Sequence, residues 1–197
     1  MYEDDCCTEN IIHAFNTFPY TTFLTITRRG CRIINDAITS HIFSDSITLA
    51  EVLDADFEPC DLFQGMSIVI TENLNKTHDI VNGQQATILS FQNNIIFIRI
   101  KSGSEHFLYP RYSSDERKFN YAFLTNYAQT IFKGQGKNFK HVTIWLDRNK
   151  PSPGAAYVAF SRVRTFISIQ LLERVNRFQL CPIKIVTESD DCTSSSL

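Results

Sequence analysis

Residues 134–137, with the sequence GQGK, are the first candidates for phosphate chemistry, because glycine-rich loops with a lysine can cradle phosphates. A P-loop needs the spacing G-x-x-x-x-G-K-[ST], in which backbone N–H groups and the lysine hold phosphates and the hydroxyl binds magnesium. Counting back from the second glycine, the first would fall at Ile131, and Asn138 after the lysine lacks a hydroxyl. We therefore reject a P-loop here, and no other stretch of the sequence offers one.

Two longer segments carry hydroxyl, amide and cationic side chains in a defined order. Residues 127–136 read YAQTIFKGQG, and residues 155–164 read AAYVAFSRVR. The first resembles A-x-T-I-H-K-x-Q-G, motif V of the RecD-like and PIF-type helicases of superfamily 1, and the second resembles A-Y-V-A-L-S-R-V-R, their motif VI. Because context makes a motif specific, their order and the strand predicted at 142–146 between them support the resemblance.

Two further segments agree with these motifs. Residues 63–83 resemble the segment G-M-x-V-M-L-x-x-N-x-x-x-x-x-L-V-N-G, which opens an inserted small barrel, and residues 24–36 resemble the segment L-T-x-T-N-x-x-V-x-x-I-N around motif IV. The resemblance covers residues 22–172 and implies the C-terminal half of a DNA helicase. The implied fold is α/β, a second RecA-like motor domain with a parallel sheet and flanking helices that carries an inserted small Src-homology-three-like β-barrel.

The apolar patterns predict elements of such a fold. A strand at 20–27 and a helix at 31–43, with apolar residues at helical spacing, form an opening unit of an α/β protein. Short strands separated by turns between residues 65 and 110 indicate a small barrel or a curled sheet. A helix at 153–163, which Ser152 would cap, then returns the chain to α/β character.

The resemblance and the change of pattern together divide the chain. Residues 1–19 are expected to be a tail or linker from a missing first motor domain. Residues 20–56 and 119–186 would form the second motor domain, and residues 57–118 the inserted barrel. Residues 187–197 are acidic and serine-rich, which predicts a disordered tail.

Arg162 is the candidate catalytic residue. Superfamily 1 motors bind ATP between two RecA-like domains, and the resemblance places Arg162 at the arginine finger that reaches the γ-phosphate when the domains close. A guanidinium suits this role because it is permanently charged and can bind two phosphate oxygens at once. Arg162 also lies off the apolar face of its predicted helix, so we expect it to project freely. A solvated surface arginine is the alternative.

Further ATP-binding residues are implied by their motif positions. Gln135 of motif V is expected to contact the nucleotide or the DNA and so to link the two sites. Arg28 and Arg29 stand where motif IV commonly has a Thr-Asn pair, and we expect one of them to reach a nucleotide phosphate. Arg164 is expected to support Arg162 by making a salt bridge.

The nucleic-acid-binding residues implied by motif V are Thr130, Phe132, Lys133, Gly134 and Gly136. Hydroxyl and ammonium groups bind DNA phosphates, and glycines let the backbone approach them closely. For Thr130 and Lys133, the cap of a short helix and a solvated lysine remain open as alternatives. Phe132 replaces the histidine of the motif, and its ring can stack on a base or pack into the core.

Composition limits the other classes of function. Hydrophobic residues make up 43% of the chain and the formal net charge is −2, so a packed domain is expected and any nucleic-acid site must be a local basic patch. The six cysteines form no C-x-x-C pair, which argues against zinc. The acidic start is no signal peptide, and no apolar run approaches the roughly 20 residues that span a membrane. We therefore expect a soluble intracellular protein of undetermined compartment.

The partners implied by the resemblance are single-stranded DNA and a P-loop motor domain, either in the full-length protein or in trans. ATP and Mg²⁺ are the implied cofactors, bound mainly by that missing domain, and no metal site is predicted in this chain. We expect no ATPase activity from this polypeptide alone. Three hypotheses remain open: part of an ATP-dependent DNA helicase, which we favour; a helicase-derived non-catalytic nucleic-acid-binding or regulatory module; and a decayed fragment, which the orderly apolar patterns disfavour.

Overall fold

The structure, a computed structural model, describes residues 8–75, 80–147, 154–175 and 177–180. Helix α1, Thr8–Thr17, packs its buried Ile11 and Ala14 into the same core as helix α2, Arg28–Ile42. Within residues 1–19, which are expected to be a tail or linker, residues 8–17 form this helix. Its apolar residues recur at helical spacing and cover one face of the core.

Thirteen short strands lie in the described ranges. In chain order they are β1 Thr22–Thr25, β2 Ala50–Leu53, β3 Pro59–Leu62, β4 Ser67–Ile70, β5 Gln85–Gln92, β6 Ile95–Ile100, β7 Glu105–Leu108, β8 Arg111–Ser113, β9 Lys118–Asn120, β10 Phe123–Thr125, β11 Ala128–Thr130, β12 Val142–Trp145 and β13 Ile169–Leu171.

Four of these strands form a parallel sheet in the order β11-β1-β12-β13. Helices cover both of its faces, because Phe23 packs in one core with α1 and α2, whereas Leu24 packs in another with helix α3, Ala155–Phe160. All four residues of β12 are buried, as the apolar sequence at 142–146 predicts for a central parallel strand. The α/β class with a parallel sheet and flanking helices is confirmed.

A second, antiparallel sheet has the order β10-β4-β5-β6-β7. Its core alternates along the strands, with Ile68, Ile70, Ile96 and Ile98 all buried. The predicted hairpin between β5 and β6 is present, and its turn residues 93–94 both have positive φ angles of the kind that two-residue hairpins need. Because β10 pairs with β4, this sheet extends to residue 125, beyond the residue 118 expected from the sequence.

The structure differs from the sequence prediction at two helices. Residues 131–136, the short helix that Thr130 would cap, form consecutive turns instead. Helix α3 ends at Phe160 rather than at 163, and Gly154 precedes it with a φ of 77°. The proposed cap at Ser152 and the predicted disordered tail at 187–197 lie outside the described residues.

Of the helices in the described ranges, none combines the length and the apolar character that crossing a membrane requires. Within those same ranges, no three side chains of the metal-ligating types gather into a cluster.

Candidate nucleic-acid interface

A cleft with a volume of about 770 Å³ lies between the parallel and the antiparallel sheets. One side is formed by α2 and by the residues that follow β11, and the other by the β2–β3 hairpin and by β4. The first side lies where β1 and β11 end, and the carboxyl ends of parallel strands are where open α/β sheets bind their ligands. Of the residues predicted from the motifs, Arg28, Thr130 and Lys133 line this cleft.

Two lysines on the segment after β11 give the cleft a basic side. Lys133 and Lys137 both line it and are both exposed, and the Lys137 ammonium donates a hydrogen bond to Gln129 Oε1 at 3.3 Å. Among the described residues, no carboxylate forms an ion pair with either lysine. These two ammonium groups are therefore available to an anion that enters the cleft.

Two arginines of α2 also reach the cleft, but each already faces a carboxylate. Arg28 Nη1 lies 3.7 Å from Asp56 Oδ1, and Arg32 Nη1 lies 2.6 Å from Glu58 Oε1. Both carboxylates belong to the turn between β2 and β3. The Arg32 pKa is raised, against the opposing effect of burial, by its hydrogen bond and charge interaction with Glu58.

The half-buried thiol of Cys31 lies between the cleft and the core. Its Sγ lies 3.0 Å from Thr25 Oγ1, and burial raises its pKa to about 11. The charge of Asp147 raises this pKa further, whereas the charge of Lys133 and the hydrogen bond with Thr25 lower it. The thiol is therefore held protonated at neutral pH and does not act as a nucleophile.

Thr130 organises the turn that carries the lysines. Its Oγ1 accepts a hydrogen bond from the backbone N–H of Lys133 at 3.3 Å, and its carbonyl accepts one from Gly134 at 3.0 Å. Thr130 therefore makes the hydrogen bond of a helix cap, although the residues that follow it form turns and not a helix. The same contacts fix the point at which Lys133 leaves the sheet.

The other four residues predicted from motif V, which are Phe132, Gly134, Gln135 and Gly136, do not line the cleft. Gly134 is buried, and a Cβ there would lie 3.4 Å from both Leu24 Cδ2 and the Ile131 carbonyl, so its closest neighbours are core atoms. Gly136 has a φ of 80° and open space around it, and Gln135 beside it is exposed. Phe132 is 68% exposed, which rules out the alternative that its ring packs into the core.

The turn between β1 and α2 is held by Asp147, which the sequence reading missed. Its carboxylate accepts hydrogen bonds from the backbone N–H groups of Ile26 at 2.7 Å and Thr27 at 3.1 Å, and from the Thr27 hydroxyl. Thr27 in turn caps α2, because its Oγ1 accepts from the N–H of Gly30 at 2.9 Å. This arrangement fixes the first turn of α2, and with it the position of Arg28.

Asn35 joins α2 to residues 125–128, the stretch of chain that leads from β10 of the antiparallel sheet to β11 of the parallel sheet. Its Oδ1 accepts from the N–H groups of Tyr127 at 3.0 Å and Ala128 at 2.8 Å, and its Nδ2 donates to the Thr125 carbonyl at 3.2 Å. Asn35 is only 9% exposed, so these bonds are shielded from water. They hold the strand that enters the cleft at Gln129 against the helix that carries the arginines.

Arg162 lies in the turn after α3 and is folded back on its own domain. Its Nε donates to the Val158 carbonyl at 3.0 Å, its Nη2 to Ser161 Oγ at 2.7 Å and its Nη1 to the Lys137 carbonyl at 3.5 Å. The expectation that this side chain projects freely is therefore wrong for this conformation, because one α3 carbonyl, the Ser161 hydroxyl and the Lys137 carbonyl accept hydrogen bonds from it. In the described stretches no carboxylate pairs with Arg162.

The other predicted cations are exposed. Arg29 lies in the first turn of α2 outside the cleft, and Arg164 follows Arg162 in the chain. In the part of the chain that the structure describes, the salt bridge expected of Arg164 is not formed.

The parallel sheet and its flanking helices form an α/β fold that is like the fold of Pif1 helicase domains. The chain is similar to the Pif1 helicase from Bacteroides in complex with ADP-AlF3 and single-stranded DNA, with a TM-score of 0.63, 17% identity and coverage of 89% of this chain and 47% of that one. It is also similar to the Pif1 helicase from Candida albicans, with a TM-score of 0.63, 15% identity and coverage of 90% and 51%.

A third similar structure is Bacteroides Pif1 bound to single-stranded DNA, with a TM-score of 0.59, 18% identity and coverage of 83% and 43%. The resemblance to PIF-type helicases inferred from the motifs is thus confirmed at the level of the fold. The chain spans about half, or less, of the length of these helicases. No protein-family model and no curated protein sequence matches it.

Proposed function

We propose that this chain is the second motor domain, the C-terminal part, of an ATP-dependent PIF-type DNA helicase, and that its cleft binds single-stranded DNA. In this proposal the antiparallel sheet is the inserted Src-homology-three-like barrel of that domain. The similar Bacteroides helicase was solved with single-stranded DNA, which gives the ligand class. At 17% identity this likeness concerns the fold, so the ligand remains our inference.

The observation that carries the proposal is the course of residues 128–139. This segment begins in the cleft at Gln129 and Thr130, exposes two lysines without carboxylate partners in the described ranges, and ends against Arg162, whose carbonyl accepts from the Phe139 N–H at 2.9 Å. One stretch of chain therefore contacts both the proposed DNA site and the proposed catalytic arginine.

The cleft suits a single strand for electrostatic and geometric reasons. Lys133 and Lys137 would neutralise backbone phosphates, and the hydroxyl of Thr130 would add a neutral contact. Phe132 precedes Lys133 in the chain and is 68% exposed, although it is not among the residues that line the cleft, and stacking of a base on such a ring contributes roughly 1–3 kcal/mol. None of these contacts reads a base edge, so binding is expected to depend weakly on DNA sequence.

Arg162 would act as the arginine finger once a P-loop domain and its nucleotide face it. Its present bonds to Val158 and Lys137 must then be exchanged for phosphate oxygens, so the finger is released by closure of the two domains. ATP and Mg²⁺ would be held mainly by the P-loop domain, with Gln135, Arg28 or Arg29 as further contacts and Arg164 as support. An arginine finger of this kind contributes about 10³–10⁵ to the rate in related phosphoryl-transfer enzymes.

DNA binding is tested by fluorescence anisotropy of a labelled oligothymidine titrated with the chain at several salt concentrations. We expect measurable affinity that falls with salt, because phosphate contacts release counterions. The double variant Lys133→Ala/Lys137→Ala should bind more weakly and should reduce the slope of log K against log salt by about 1.4, or about 0.7 for each lysine.

The matched control is Lys101→Ala/Lys118→Ala, which removes the same charge from two exposed positions outside the cleft. It should retain nearly the wild-type affinity and slope. Equal weakening in the two double variants would mean that binding follows net charge rather than the cleft, and would refute the proposed site.

The division of labour between the two motor domains predicts that this chain alone does not hydrolyse ATP. Steady-state turnover measured with single-stranded DNA present should equal the background without protein, and the Arg162→Ala variant should give the same value. Turnover by the wild-type chain that disappears in Arg162→Ala would contradict the proposal, because the catalytic site would then be complete within this polypeptide.

The alternative function is a helicase-derived nucleic-acid-binding or regulatory module that acts without ATP. It is favoured by the same two lysines, and also by the bonds that engage Arg162 within its own domain. Sequencing upstream of the region that encodes Met1 separates the two functions. An adjoining P-loop reading frame supports the helicase, and its absence together with DNA binding supports the module.

A further inference from the structure

The turn between β2 and β3 places negative charge directly against the basic side of the cleft. Asp56 and Glu58 of this turn face Arg28 and Arg32 of α2, at 3.7 Å and 2.6 Å. These are two of the four cations that line the cleft on the side proposed for DNA. A carboxylate and a backbone phosphate would therefore compete for the same guanidinium groups.

The turn is built to hold this position. The carboxylate of Asp54, only 9% exposed, accepts hydrogen bonds from the N–H groups of Asp56 at 2.8 Å and Glu58 at 3.1 Å. Phe57 between them has a φ of 61°, an uncommon conformation for a bulky residue and one that a protein retains only where its surroundings impose it. Asp56 and Glu58 are thus presented on a fixed turn rather than on a freely moving loop.

We propose that Asp56 and Glu58 act as an internal competitor for nucleic-acid phosphates and so set the affinity of the cleft for single-stranded DNA. This inference rests on the proposed function. In the unbound chain Arg32 forms a close ion pair with Glu58 and Arg28 lies within ion-pair distance of Asp56, whereas Lys133 and Lys137 have no carboxylate partner in the described ranges. A strand that enters would first meet the lysines, and full engagement of the arginines would require the turn to give up its ion pairs.

The test is the affinity of Asp56→Asn/Glu58→Gln for the same labelled oligothymidine. Both substitutions keep the size of the side chain and remove only its charge. We expect binding about tenfold tighter than that of the wild-type chain at low salt, because two cations become available to phosphates. The difference in affinity between the two proteins should narrow as the salt concentration rises. Loss of folding cannot mimic this result, since a misfolded variant would bind more weakly.

The matched control is Asp115→Asn/Glu116→Gln, which changes the net charge equally in the turn between β8 and β9, outside the cleft. We expect this control variant to bind the oligothymidine no more tightly than the wild-type chain does. The gain in affinity should also be absent when Asp56→Asn/Glu58→Gln is made together with Arg28→Ala/Arg32→Ala, because the competitor then has nothing to release.

The outcomes separate the two proposals. If the wild-type chain binds DNA and the Asp56→Asn/Glu58→Gln variant gains no more than its control, the competitor is refuted while the proposed function stands. If neither the wild-type chain nor the variant binds at any salt concentration, the proposed function fails and this inference fails with it.

Discussion

Asn35 and Asp147 give the proposed site much of its shape, and neither would contact a ligand. Each bonds to the backbone of a segment far away in the chain, Asn35 across 90 or more residues and Asp147 across about 120. Three hydrogen bonds from one buried amide restrain the passage between the sheets, and leaving such backbone groups unpaired typically costs about 1–3 kcal/mol for each group.

These distances explain what sequence could and could not predict at the residue scale. Arg28, Thr130 and Lys133 were found because each belongs to a motif-like segment, and the fold brings all three to one cleft. Asn35 and Asp147 carry no local signal, since their partners are backbone atoms that no side-chain pattern reveals. The conformation of Arg162 was mistaken for a similar reason, because its acceptors include the Lys137 carbonyl.

The half-buried thiol of Cys60, which lines the cleft, predicts a pH dependence of stability. Burial raises the pKa of Cys60 to about 11 from an ordinary value of 9.0. Above pH 9 the unfolded chain therefore releases this proton before the folded chain does, and the free energy of unfolding falls as the pH rises from 9 to 11. At pH 10 the loss from this one group is about 1 kcal/mol, since one pKa unit corresponds to about 1.4 kcal/mol.

The measurement is urea unfolding of the wild-type chain and of Cys60→Ser at pH 8 and pH 10. Serine does not titrate in this range, so other groups contribute equally to both proteins. We expect the wild-type chain to lose more stability than the variant between the two pH values. An equal loss in both would show that the Cys60 thiol titrates normally.

Helix α2 has a glycine, Gly30, where it packs against the carboxylate of Asp147. Gly30 lies in its first turn, where alanine would ordinarily stabilise a helix by up to about 1 kcal/mol. A Cβ at this position, however, would collide with the Asp147 carboxylate and press on the side chain of Thr25. The glycine is therefore required by the carboxylate that holds the turn between β1 and α2.

This argument predicts that Gly30→Ala destabilises the chain by about 1–3 kcal/mol, the usual cost of overpacking, despite the better helix propensity of alanine. In an Asp147→Ala background the same substitution should be neutral or stabilising. Chemical denaturation of the four proteins of this double-mutant cycle gives the coupling. Destabilisation by Gly30→Ala that is equal in both backgrounds would contradict the role assigned to Asp147.

The element scale also shows where sequence patterns were sufficient. The parallel strands and the hairpin of β5 and β6 were predicted because apolar alternation and turn residues are local signals. Helix α1 was not predicted although Ile11 and Ala14 have helical spacing, since two buried residues in a ten-residue helix give only a weak periodic signal. The ends of α3 were placed wrongly because contacts with the rest of the domain, rather than its own sequence, decide where so short a helix stops.

At the scale of the whole molecule, net charge gives no indication of the ligand. The chain carries a formal charge of −2, yet the segment after β11 presents two lysines and the opposite hairpin presents carboxylates. Net charge and local charge therefore differ in this protein. The distribution of charged side chains across the cleft favours an anion held on one side only.

The central claim, that single-stranded DNA binds in this cleft, is tested most directly by hydrogen–deuterium exchange of the chain with and without a saturating oligothymidine. The account predicts slower exchange at residues 26–36 and 126–139, and unchanged exchange at residues 95–108 on the far hairpin of the antiparallel sheet. Protection confined to that hairpin, or absent from both cleft segments under saturating conditions, would contradict it.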